Sequence, residues 1–164
     1  MGGKRICLPR LSHQRGWRGD TGPAPLLARR HADGCRALWD AAVATVWTEP
    51  PVWVHGDVAP ANMLFDSSGQ LAALIDFGQT CIGDPACDLA FAWLSCSSRE
   101  RDRLHDRLEL PEHAWLRGAA WALWKALISS PEEVLTKYGR SRDAVLSDVA
   151  DLAPKLSARR FRAG

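Results

Sequence analysis

VWVHGDVAPANMLFDSSGQLAALIDFG, residues 52–78, decides how the chain is read. Three short β-prone runs stand out in it: Val52 to Val54, Met63 to Phe65, and LAALID at 71–76. A polar loop, HGDVAPAN at 55–62, separates the first two, and the turn residues Asp66, Ser67, Ser68 and Gly69 separate the second and third. Loops that join strands project polar groups from a fixed frame, so the chemistry is expected there. His55, Asp57 and Asn62 lie in the first loop. Asp76 closes the third run and leads directly into Phe77 and Gly78.

Two carboxylates and an amide presented this way suit phosphoryl transfer, in which the protein positions the reactants and compensates charge rather than attacking. Asp57 is placed to orient a substrate hydroxyl and accept its proton. Asp76 and Asn62 supply the hard oxygens that magnesium prefers alongside phosphate. Asp, then Asn five residues on, then Asp-Phe-Gly is the order of the kinase catalytic signature. Gly56 stands where protein kinases carry the Arg that pairs with an activation-loop phosphate, which argues against a phosphorylation-controlled protein kinase. Other readings remain open at this point. His-Gly-Asp alone can be a turn with a capping Asp, and a metal-dependent phosphoesterase would use the same residues together with further ligands. The remaining histidines, at 13, 31, 105 and 113, do not group for that purpose. Cys81 and Cys87, with one His nearby, match no common zinc spacing.

Upstream, the Ala- and Leu-rich ALWDAAVATVW predicts a helix from about Asp33 to Trp47, stopped by Pro50 and Pro51. Downstream of Pro85 the pattern is helical to the end. It begins with ACDLAFAWLSC, and then Ser97 and Glu100 have capping-box spacing ahead of a helix reaching Leu108. Pro111 suits a first helical position for a helix to about Ile128. Ser130, Pro131 and Glu133 repeat the cap, Gly139 is a stop, and residues 141–152 form a last amphipathic segment. Tryptophans 93, 115, 121 and 124 recur at helical spacing and are expected to fill a core. The charged run from Arg99 to Glu109 reads as a solvated face. Residues 1–25, rich in Gly, Pro and Arg without an apolar period, read as a flexible basic tail.

At 164 residues and 46% hydrophobic content, one packed unit is expected. The 21 basic and 19 acidic residues give a net charge of +2, too balanced for nucleic-acid binding by bulk electrostatics. No apolar run is long enough to span a membrane, and no signal-peptide core is visible. Five cysteines without a CxxC pair, an odd number, indicate no closed disulfide set, so a reducing cytoplasm is the expected location.

The words HGDVAPAN at 55–62, LIDFG at 74–78 and IGDPACDLAFAW at 82–93, in that order, resemble the aminoglycoside phosphotransferase and choline-kinase-like family. WALWKALI at 121–128 also looks like a late helix of its bacterial members, and the resemblance covers roughly residues 26–152. It implies an α+β fold: the C-terminal lobe of a protein-kinase-like architecture, over residues 26–164, mainly helical with a few short strands carrying the catalytic loop. It implies Asp57 as catalytic base, Asn62 and Asp76 as Mg2+ ligands, and ATP as co-substrate. His55 and Asp88 are implied as structural supports, with Asp88 capping the following helix and bracing the catalytic loop. The implied activity moves the ATP γ-phosphate to a hydroxyl of a small molecule, an antibiotic or a metabolite. A non-catalytic binding module of the same fold is the alternative. Only about 50 residues precede His55, and they hold no strand with a suitable Lys, so the nucleotide-covering N-lobe is expected to be missing and activity weak. Self-association, or a separate N-lobe chain, is the expected partnership.

Overall fold

Strands of three or four residues bury too little surface to build a core, so the helices must provide it. The computed structural model describes residues 29–152, and the tail expected at 1–25 lies outside them. The chain runs from α1 (Arg29–Val43) into β1 (Val52–Val54), β2 (Met63–Phe65), β3 (Leu71–Leu74) and β4 (Cys81–Gly83). Six helices follow: α2 (Ala86–Leu89), α3 (Phe91–Leu94), α4 (Ser98–Arg107), α5 (Glu112–Ile128), α6 (Pro131–Tyr138) and α7 (Arg142–Ala150). The fold is therefore mostly helical with a few short strands.

The α5 helix is central and packs against α1, α2, α3 and α7. Leu38 of α1, Leu94 of α3, Leu123 of α5, Val134 of α6, and Val145, Leu146 and Val149 of α7 are fully buried in one cluster. Trp93 and Trp115 pack in that core with ring centroids 6.0 Å apart. Trp121 and Trp124 are partly buried and meet edge to face at 5.5 Å. Gly118 lets α5 approach α2 closely, because a Cβ there would lie 2.7 Å from Leu89 Cβ.

Local signals set the helix ends. Ser97 with Glu100, and Ser130 with Glu133, form complete capping boxes, and Gly139 ends α6 in the left-handed region at φ 78°. Ser141 caps α7. Three expected boundaries differ. The first helix ends at Val43 rather than Trp47. ACDLAFAWLSC splits at Ala90 into α2 and α3, and Pro111 caps α5 from outside instead of opening it.

The strands form two antiparallel pairs, β1 with β4 and β2 with β3. Val54 faces Cys81 in the first pair, and Met63 faces Leu74 in the second. The β2–β3 turn is closed by Asp66, whose Oδ1 accepts from the Ser68 and Gln70 amides at 2.8 and 3.0 Å. The sequence does not signal β4, and the third run stops at Leu74, two residues before Asp76. Cys35, Cys87 and Cys96 are free and buried. Among the described residues no helix is long and apolar enough to cross a membrane.

Candidate active site

The loop after β1 is fixed by Asp88, which projects from α2 beneath it. Its two carboxylate oxygens accept from the His55 and Gly56 amides, both at 2.8 Å. Asp88 lies inside α2 and does not cap it. The first free amide of that helix, on Ala86, donates instead to Asp84 Oδ1 at 3.0 Å. Gly56 has φ 84°, and a Cβ there would also meet the Gln79 carbonyl oxygen at 2.6 Å. Both the backbone conformation and the close approach therefore require glycine.

His55 is buried and joins two loops. Its Nε2 lies 2.9 Å from the Ile75 carbonyl oxygen, which can only accept, so the ring proton sits on Nε2. Nδ1 then accepts from the Asp57 amide at 3.3 Å. With both nitrogens engaged, His55 braces the loop and has no lone pair left for proton transfer. Phe77 packs against the ring with centroids 4.8 Å apart.

Asn62 connects the same two loops from the other side. Its Nδ2 donates to the Asp57 carbonyl at 2.9 Å and lies 3.5 Å from Asp57 Oδ2. Its backbone carbonyl accepts from the Ile75 amide at 3.0 Å. The residues on either side of Asp76 are thus tied directly to Asn62 and His55, which brings Asp57, Asn62 and Asp76 into one region. Asp76 itself is exposed and adopts the left-handed conformation, φ 63° and ψ 60°. It is the one non-glycine with positive φ among the described residues, a strain typical of functional positions. Its carboxylate makes no hydrogen bond or ion pair among the described residues.

Asp57 is in a different electrostatic setting. Lys137 of α6 donates to Oδ2 at 2.6 Å, and Lys125 of α5 lies 3.4 Å from Oδ1. Burial by itself would raise the Asp57 pKa, but the Lys137 hydrogen bond and the charges of Lys125 and Lys137 hold it below the ordinary 3.8. Both ammonium groups also sit over the Tyr138 ring, at 6.0 Å for Lys125 and 5.7 Å for Lys137. Burial and the Asp57 charge push the Tyr138 phenol up to about 12.

Sequence reasoning misses both lysines. Lys125 does leave a trace, as a lone charge in the otherwise apolar WALWKALI, where a buried cation demands a partner. Lys137 leaves none. A second unforeseen pair joins Arg117 of α5 to Asp84 just after β4 at 2.7 Å, and Arg117 also donates to Thr45 Oγ1 at 3.1 Å. This pair fixes the GDPACD word against the helical core. Among the described residues no three His, Cys, Asp or Glu side chains cluster as metal ligands.

The model of the phosphotransferase enzyme family (APH) matches residues 9–127 of the 164, and the chain belongs to that family. Among solved structures, ADP-bound aminoglycoside phosphotransferase APH(2'')-Ib is similar at 23% identity with a TM-score of 0.41. The match covers 79% of this chain and 45% of that one, so the chain spans just under half of that protein's length. No curated protein matches the chain significantly.

Proposed function

We propose that residues 26–164 are the C-terminal lobe of a kinase-like phosphotransferase that moves the ATP γ-phosphate to a hydroxyl of a small molecule. The observation that carries this reading is the double role of Asn62, which bonds Asp57 through its amide and the Asp76 loop through its backbone. Asp57 orients the acceptor hydroxyl and takes its proton. Its low pKa makes it a weak base, which suits a reaction in which the proton leaves late.

The donor set fits magnesium. With Asn62 Nδ2 committed to Asp57, the amide oxygen is the atom left for a cation, and Asp76 offers an uncompensated carboxylate. A bound magnesium ion would neutralise phosphate oxygens and hold them in line with the acceptor. His55 and Asp88 keep the loop rigid and take no part in proton transfer.

Turnover by this lobe is expected to be slow, because Asp76 and Phe77 face solvent and water is not excluded on the metal side. The exposed apolar residues Trp53, Leu64, Phe65 and Phe77 favour a second reading, a binding module that meets another copy or a separate lobe through these side chains. Calorimetric titration with magnesium-ATP and an ADP-release assay over aminoglycosides, macrolides and choline-like alcohols decide between them. Acceptor-dependent release that Asp57→Asn abolishes supports the enzyme. Release that survives that change, or no binding of magnesium-ATP, leaves the module.

A further inference from the structure

We infer that the acceptor is a hydroxyl compound carrying its own anionic group, a carboxylate or phosphate beside the hydroxyl, held by Lys137 with Lys125 behind it. The inference rests on the phosphotransferase reading and names its acceptor class.

Charge and access at Asp57 carry the argument. Two ammonium groups meet the one Asp57 carboxylate, while the neighbouring Asp88 carboxylate is committed to the His55 and Gly56 amides. Among the described residues no other carboxylate is ion-paired to either lysine. Glu133, the nearest acid on α6 along the chain to Lys137, is committed to the Ser130 cap. Neither lysine pairs with Asp76, so both cations sit at the hydroxyl-accepting carboxylate and not at the proposed metal ligand. The two cations differ in access. The Lys125 side chain is only 10% exposed and is also held by the Gly56 carbonyl at 3.4 Å, whereas that of Lys137 is 40% exposed.

Lys137 therefore has one donor on Asp57 Oδ2 and, among the described residues, two others left to meet a ligand anion next to the same oxygen. The buried Tyr138 ring beneath both lysines keeps them in place without neutralising them. A polycationic acceptor brought to Asp57 would meet the Lys137 ammonium beside the carboxylate. An anionic one gains a charge-assisted hydrogen bond while its hydroxyl reaches Oδ2.

Calorimetry on the full chain without nucleotide tests this, using glycerate, glycerol 3-phosphate, glycerol and kanamycin as probes. One of the two anions should bind at least about 10-fold more tightly than glycerol, and which one does so separates carboxylate from phosphate recognition. Lys137→Gln should weaken that binding by about 10-fold, with Lys137→Arg retaining most of it. Glycerol or kanamycin binding as tightly as the anions would overturn the inference. So would anion binding that ignores Lys137→Gln, or that magnesium and a non-hydrolysable ATP analogue displace, since the lysines would then serve the nucleotide. A parallel magnesium-ATP titration keeps the two proposals apart. Its failure counts against the phosphotransferase reading and leaves the anion result standing.

Discussion

Asp57 links protonation to stability because the folded chain surrounds it with two cations. Its folded pKa lies below the ordinary 3.8, so the unfolded chain binds the proton first as pH falls. The stabilisation from Asp57 is thus complete above about pH 5 and is lost as the pH drops through 3.8 and then through the lower folded value. Asp57→Asn should flatten this acid limb in urea unfolding followed between pH 3 and 6. At neutral pH the same change leaves Lys125 and Lys137 facing a neutral amide and should cost about 1–3 kcal/mol. It should also lower any acceptor-dependent ADP release by about 100-fold or more. At this scale the sequence made the oxygen donors legible, since Asp57, Asn62 and Asp76 are fixed by spacing within a short stretch. The lysines were hidden because they come from helices some 70 and 80 residues further on.

Elements decide how accurately those side chains are held. The Ser130–Glu133 capping box sets the start of α6, which packs against the turn at residues 60–62 and carries Lys137. Ser130→Ala should cost about 1 kcal/mol by denaturant midpoint. It should also weaken Lys137-dependent ligand binding, whereas Ser97→Ala should carry a similar stability cost without that effect. Gly118→Ala drives a methyl into Leu89 and to within 3.1 Å of the Trp93 ring, and should cost about 1–3 kcal/mol with reduced near-UV tryptophan ellipticity. Helix caps were readable because capping is local, a matter of Ser and Glu three residues apart. β4 was not, because Cys81, Ile82 and Gly83 become a strand only by pairing with β1.

Across the whole molecule, Arg117 connects the site to the core. It is 4% exposed and reaches both Asp84 beside β4 and Thr45 after α1. Arg117→Met would strand the partly buried Asp84 carboxylate and should cost about 3 kcal/mol in chemical unfolding. The Asp84→Asn, Arg117→Met double variant should recover part of this, which measures the coupling between the two. The exposed aromatic residues of the strands behave differently. Trp53 is 74% exposed and Phe65 58%, so Trp53→Ser with Phe65→Ser should barely change stability, yet should reduce any concentration-dependent association seen in sedimentation.

The amino-acid sequence by itself determined the polar loop at 55–62, the Asp-Phe-Gly turn, the helical character of the second half and the helix caps, because each depends on residues within a few positions of one another. The tertiary structure decided that Asp88 braces the loop while Asp84 meets the helix entry and Arg117, and that Lys125 and Lys137 converge on Asp57. Those contacts join segments far apart in the chain, and only the packing of α5 and α6 against the strand loops brings their charges within range.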